Sequence, residues 1–411
     1  MSNDKITSIR IRGMRAIEDV TLRLDGLTVL IGDNGTGKST IIEALEILRK
    51  AATTRSFTDN ISRHHGGLRA LLRSGAEELS LEASFEIGES RQRYSYLIGL
   101  RWEGDYQVIA HEWLEYESSG EAKAQIIMRG NSECYIRSTK LSGPFEQVHA
   151  GPDVLALIEF KYHENTNVEK IIRLLKNIQV HLPFDVRPLW LLAEQNLFHS
   201  PTRSPAMLDR VERLERTASN LANCFHTIRN RYSLAQSKWQ DFLLTAKMGL
   251  GEDLEDISTP SFDKGQIRLE LKFATIKDPI PASALSDGQL SFLAFLALTE
   301  LANGEGLIAI DEPECHFHPG LLVRILWALE EVAEKQPVIL STHSDCLLDA
   351  LYDPGKSVVL CELDKNRAVQ LKNVNEKTLK TWLEDYRGIG HIRSEGYMRI
   401  VFDHDVPKET E

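Results

Sequence analysis

The sequence predicts an α/β fold, and three observations carry that expectation. Gly32-Asp33-Asn34-Gly35-Thr36-Gly37-Lys38-Ser39 fits G-x4-G-K-[ST], the pattern of a phosphate-binding loop. It is bracketed by an apolar, partly β-branched run, Leu27 to Ile31, and by 40–51, where Ile41, Ile42, Leu45, Ile47 and Leu48 recur at helical spacing. Far downstream, 306–310 runs into Asp311-Glu312-Pro313-Glu314, and 338–340 into Ser341-Thr342-His343-Ser344. These are three buried strands with polar chemistry at their ends, as in a sheet that binds its ligand along one edge.

The loop comes first because its chemistry is the most specific. Its glycines let backbone N–H groups turn toward phosphate oxygens, and the helix N-terminus adds a favourable dipole. Lys38 is placed to reach the β- and γ-phosphates, and the Ser39 hydroxyl to sit on Mg²⁺. Gly32, Asp33, Asn34, Gly35, Thr36, Gly37, Lys38, Ser39 and the following Thr40 are therefore the expected nucleotide-binding residues.

The chain has 411 residues, 48 basic against 60 acidic, for a formal charge of −12, and 42% of it is hydrophobic. That is room for one large core or two lobes of an ordinary globular protein. Overall acidity argues against a generally basic nucleic-acid coat and leaves room for a local basic groove. No apolar run reaches the roughly 18–20 residues of a membrane helix, and 1–12 is polar. Cys134, Cys224, Cys315, Cys346 and Cys361 are scattered and odd in number, which reads as reduced thiols in a cytoplasm.

Short alternating runs at 6–11 and 20–24 precede Leu27 to Ile31, so three strands feed the loop, with Arg15 in the first turn. Residues 53–75 read as a surface loop with a short helix at 68–72. Leu79 to Ile87, Tyr94 to Leu100 and Val108 to Tyr116 alternate as an antiparallel flank. The middle turns helical at 168–178 and 220–248, around a stretch interrupted by Pro183, Pro188, Pro201 and Pro205. No heptad pattern persists, so no long coiled-coil arm is expected. Ile267, Leu269, Leu271 and Phe273 alternate as a strand re-entering the main body, a helix follows at 319–334, and Val358 to Leu363 is a further strand. The expected divisions are 1–150, a first part of a head with the loop and flank; 151–260, a helical insertion; 261–375, the second part of the head; and 376–411, a tail.

Asp311 at a strand end beside a phosphate loop suits a hard cation, and Glu312 is then the natural residue to orient an attacking water. His343 is positioned to contact a γ-phosphate. Leu285-Ser286-Asp287-Gly288-Gln289 precedes a long apolar helix, with a Ser N-cap and a Gly supplying donors at a positive helix end. That makes an anion site with no evident ligand in its own chain, and its separation from the first loop suits capping the nucleotide of a second copy.

Together these motifs resemble the ABC-type ATPase heads of the RecF and SMC group, and more narrowly the compact bacterial predicted ATPases without a coiled coil. The matching residues are Gly32–Ser39, Leu285–Gln289, Asp311–Glu314 with His318-Pro319, and Ser341–Ser344. The resemblance covers roughly 1–50 and 265–390, and weakly 219–231. It implies an ATP hydrolase with Lys38, Glu312 and His343 in catalysis. Ser39 and Asp311 would hold Mg²⁺, and Ser286, Gly288 and Gln289 would act on ATP across a head dimer. It also implies a cytoplasmic switch used in DNA repair or anti-phage defence, with a separate nuclease or toxin as effector. The alternatives are a nucleotide-gated scaffold with little turnover and, less in keeping with the sequence, a transporter ATPase subunit.

Several features stand apart. Asp287 replaces the Gly common in such signatures and puts a negative charge beside a phosphate, which favours the scaffold. A Q-loop glutamine has two candidates, Gln92 and Gln195, and Arg15 reads equally as a nucleotide contact or a solvated turn residue. Cys315, His316, His318 and His343 invite a zinc reading, but their spacing is not that of a finger. Arginine-rich stretches at 55–73 and 203–231 read either as DNA-backbone contacts or as ion-paired faces. Asp403 and Asp405 read as solvated tail residues.

Overall fold

The computed structural model describes residues 4–117, 124–130, 133–137, 144–160, 166–181, 183–188, 200–317, 319–397 and 400–402. Two compact units emerge: Met1–Val180 with Gly304–Asp311 and Ala333–Glu411, and His181–Asn303 with Glu312–Val332. These cuts differ from divisions at 150, 260 and 375, because the strand before Asp311 lies inside a sheet of the first unit.

In that unit β1 (Lys5–Met14) and β2 (Ile17–Arg23) form a hairpin, with Arg15 in its turn at φ 48°. β3 (Leu27–Ile31) leaves this hairpin for another sheet and feeds α1 (Lys38–Thr53). β4 (Glu78–Ile87), β5 (Gln92–Glu103) and β6 (Tyr106–Glu117) form the expected antiparallel flank. It continues through β7 (Ala124–Gly130), β8 (Glu133–Arg137) and β9 (Phe145–Val148), giving the order β2-β1-β4-β5-β6-β7-β8-β9. Residues 53–75 hold more structure than expected. A helix, Phe57–His65, buries Phe57 and Ile61 ahead of the short helix Leu68–Leu71.

The second sheet of this unit carries the loop. β10 (Ile178–His181) is its edge. β11 (Ala206–Met207) to β16 (Ile280–Pro281) belong to the other unit. β17 (Leu307–Asp311), β18 (Val338–Ser341), β19 (Val358–Leu363) and β20 (Val369–Asn373) complete the order β10-β17-β18-β3-β19-β20. β17, β18, β3 and β19 run parallel, and β20 turns back antiparallel. All of β3 and β18 is buried, which is why these strands read as largely apolar runs. Register aligns Asp311 with Ser341 and Ser341 with Leu30, so three strand ends meet at one edge. α1 packs an almost continuous apolar side into the core, joined by Val168, Ile171, Leu174 and Leu175 of the helix Thr166–Lys176.

The other unit is mainly helical. The expected helix over 220–248 is two, Leu221–Arg231 and Gln236–Leu250, parted by a turn at 232–235. The expected strand at 267–273 does not re-enter the main body. It divides into β14 (Gln266–Ile267) and β15 (Glu270–Phe273), which pair within two small antiparallel sheets of this unit. Helix Asp287–Leu301 is buried nearly all round from Leu290 onward, as its uniform apolarity requires. Helix Pro319–Ala333 follows the expected bounds. Among the described residues no helix is long and apolar enough to cross a membrane.

Candidate nucleotide site

The phosphate-binding loop sits where β3 gives way to α1. Gly32 has φ 146°, and a Cβ there would lie 2.2 Å from the Cys361 carbonyl oxygen, so the loop runs hard against β19. Gly37, at φ 92°, is the N-cap of α1. Only glycine takes both conformations freely. The Thr36 hydroxyl donates to the Asp33 carbonyl at 2.8 Å. The buried Lys38 ammonium donates to the carbonyls of Gly32 and Asp33 at 2.9 and 3.0 Å, holding it within the loop. Asp33, Asn34 and Gly35 are exposed, and Thr40 is buried in the first turn of α1.

Across the strand ends, the Ser39 hydroxyl donates to Asp311 Oδ1 at 3.4 Å, and the Ser341 hydroxyl donates to the same oxygen. Hard oxygen donors gathered beside a phosphate loop fit Mg²⁺. Ser341 was legible only as part of the segment preceding His343; its grip on Asp311 follows from the strand register. Glu312 is next in the chain and opens the other unit's stretch. It has left-handed backbone, φ 50° and ψ 62°, ahead of the short 3-10 turn Pro313–His316, and accepts from the Cys315 thiol at 3.5 Å.

A cavity of about 750 Å³ opens over the loop. Its lining includes Gly32, Asp33, Asn34 and Thr36 of the loop, His343, and Glu362, Arg367 and Arg393. Its size is that of a small-molecule site. Arg393 comes from the helix Ile389–Ser394, within the stretch 376–411 expected as a tail, and it donates to the His343 carbonyl at 2.7 Å. The same guanidinium pairs with Asp345 at 2.7 Å. Cys361, also on the wall, is buried, which pushes its thiol up to about 12 despite Lys38 nearby. It is an inert neighbour. All five cysteines are free.

In the other unit Ser286 caps the helix Asp287–Leu301. Its hydroxyl accepts from Gln289 N at 3.2 Å, and Gln289 Oε1 accepts from Ser286 N at 2.9 Å. Gln289 thus serves a capping box, which fixes the loop that carries Gly288. Asp287 pairs with Arg203 at 2.5 Å, an arginine of the 203–231 stretch whose side chain is only 3% exposed.

Several candidate residues are engaged elsewhere. Arg15 pairs with Glu43 of α1 at 2.5 Å, and Gln92 hydrogen-bonds Tyr94 and Asn167. Gln195, His318, Asp403 and Asp405, and the His316 side chain, lie outside the described residues. Among the described residues no three His, Cys, Asp or Glu side chains gather as metal ligands. Much of the positive charge of the two arginine-rich stretches is matched internally. Arg229 pairs with Asp256 and lies over Trp239, and Arg231 donates to the Glu300 carbonyl. Arg63 pairs with Asp59, Arg69 lies over Trp102, and Arg73 donates to the Ala16 carbonyl.

Residues 27–349 match the model of a family described as AAA domain, putative AbiEii toxin, Type IV TA system. The chain is 28% identical over 116 residues to the Septu protein PtuA of Bacillus thuringiensis, covering 26% of this chain and 29% of that protein. It is 32% identical over 95 residues to the Old nuclease of Escherichia phage P2, covering 22% of this chain and 16% of that protein. The matched part thus spans less than a third of either relative. Among solved structures, the SmcHead bound to the C-winged helix domain of ScpA aligns with TM-score 0.51 at 13% identity, covering 91% of this chain and 99% of that one. An Smc head domain with an extended coiled coil bound to the C-terminal domain of ScpA, from Pyrococcus furiosus, gives 0.51 at 12%, covering 93% and 99%. The fold is that of an SMC-type P-loop head.

Proposed function

The chain belongs to this AAA-domain family and is an ATPase, and from that premise we propose that it works as an ATP-sandwiched pair of heads coupled to a conformational switch. The loop N–H groups and Lys38 hold the β- and γ-phosphates, and Ser39 and Asp311 hold Mg²⁺. The metal neutralises charge on the phosphate oxygens when bound. Glu312 orients the attacking water and His343 contacts the γ-phosphate. Ser286 and the backbone at Gly288 reach the nucleotide of a second copy from the N-terminus of their helix. Positioning and electrostatics of this kind are what phosphoryl transfer asks of a protein.

The observation that carries the reading is the meeting of the Ser39 hydroxyl and Asp311 at the strand edge, 3.4 Å apart. The output of the switch is control of a separate effector, a nuclease or toxin, with DNA as a candidate input. Similarity to the Septu protein and the Old nuclease, and the family's link to a toxin–antitoxin system, support a defence role over repair. The scaffold alternative drew on Asp287, whose charge is matched by Arg203.

The test is steady-state ATP hydrolysis by the full chain, with and without duplex DNA, beside Glu312→Gln. Turnover that rises with DNA and vanishes in the variant, which should accumulate as an ATP-bound assembly, supports the switch. A variant hydrolysing like wild type removes Glu312 from the mechanism. ATP binding with no turnover in either protein moves the reading to the scaffold.

A further inference from the structure

One guanidinium governs the anion-binding loop Leu285–Gln289. Arg203 is almost fully buried, with 3% of its side chain exposed, and its donors fan out in three directions. Nη1 donates to the Leu285 carbonyl at 2.6 Å and lies 3.5 Å from the carbonyls of Ala282 and Ser283. Nε donates to Val186 and Arg187 carbonyls at 3.0 and 3.1 Å, and Nη2 to Val186 at 2.8 Å. Nη2 also meets Asp287 Oδ1 at 2.5 Å. The hub therefore ties 186–187 to the turn Ala282–Ala284 and to the first turn of the following helix.

The chemistry of that first turn explains why this matters. A carboxylate at the start of a helix favours the helix dipole. Here it also stands one residue from Ser286 and one from Gly288, where it opposes an incoming phosphate. A buried guanidinium on the carboxylate cancels that opposition, and its rigid fork holds Asp287 while fixing the Leu285 carbonyl. A lysine, with a point charge on a flexible stem, cannot serve both ends. Asp287 is itself half exposed, so the pair lies at the rim of the loop.

We propose that Arg203 is a positioning residue for trans nucleotide engagement: it cancels the charge of Asp287 and sets the loop in the geometry that receives phosphate from a second copy. This rests on the reading that Ser286 and Gly288 act across the dimer. The experiment compares Arg203→Lys, Asp287→Gly and Ser286→Arg in the full chain. It measures melting temperature, fluorescent-ATP binding, ATP-driven association by sedimentation, and kcat separately from KM.

Arg203→Lys is expected to bind the fluorescent ATP within twofold of wild type while association and kcat fall at least tenfold, a split that general loss of fold would not produce. Asp287→Gly should associate at no more than one third of the wild-type ATP concentration, because the Arg203 charge, no longer matched by a carboxylate, then favours the incoming phosphate. If Arg203→Lys melts too early to assay, Asp287→Gly decides alone. Wild-type association and kcat in Arg203→Lys, or weaker association in Asp287→Gly, overturn the proposal. Ser286→Arg separates the two levels. If it leaves association and turnover unchanged, the trans reading fails and the proposal with it. If it abolishes both while Arg203→Lys does not, only the role of Arg203 is lost.

Discussion

Replacing Gly32 with Ala puts a methyl group against the backbone of a neighbouring strand. The added Cβ would stand 2.2 Å from the Cys361 carbonyl oxygen and 2.8 Å from Thr36 Oγ1, where ordinary contact begins at 3.4 Å. Relief requires the loop or β19 to move by about 1 Å, yet β3 and β19 are locked in register through Leu30–Val359 and Ile31–Leu360. The backbone at φ 146° adds its own penalty for any residue with a side chain. Overpacking costs about 1–3 kcal/mol and the strained backbone about 1–3 more, so the loss is about 2–6 kcal/mol. Gly35 is the control, because its φ is also positive, at 80°, but nothing lies within 4 Å of a Cβ built there. Gly35→Ala should lose only about 1–2 kcal/mol, the left-handed cost alone. Urea titration read by tryptophan fluorescence measures both, and a fluorescent ATP analogue should bind Gly32→Ala at least tenfold more weakly than wild type. Equal urea midpoints for the two variants would refute the claim that the loop is wedged against β19.

Lys38→Ala should weaken ATP binding at least tenfold in the same nucleotide titration; native affinity would remove the loop from the site. His181 gives a pH prediction. Burial, with Arg213 and Arg216 adding like charge, lowers its pKa from 6.5 to about 4. The unfolded chain therefore takes up the proton first. The stability this histidine contributes is full above pH 6.5 and drains as pH falls toward 4, by about 3 kcal/mol in all. His181→Leu should flatten that acid limb in denaturation series, and an unchanged slope would sink the assignment.

The nucleotide edge was legible because buried parallel strands show themselves as short, largely apolar runs, and the chemistry lies where each run stops. That is how Asp311 and Ser341 could be located before their register was seen. The partners joining distant segments were not legible. Arg203 meets Asp287 across 84 positions and Arg393 meets the His343 carbonyl across 50, and nothing in local spacing announces either. Arg203 looked like one more cation in a basic stretch, although burial with a carboxylate gives it a different task. The helix Phe57–His65 was hidden by its own surface. Arg63, His64 and His65 mask a pair, Phe57 and Ile61, whose spacing of four is too little to establish a period. The break at 232–235 escaped because helical spacing resumes after it in nearly the same phase.

Glu312 carries a consequence beyond the site itself. Its backbone lies in the left-handed region, at φ 50° and ψ 62°, which disfavours glutamate by about 1–2 kcal/mol relative to the right-handed one. Glycine or asparagine would rest there more comfortably. If Glu312 orients the attacking water as proposed above, stability and turnover pull in opposite directions at this position. On that proposal Glu312→Gly should raise the melting temperature while ATP hydrolysis is lost.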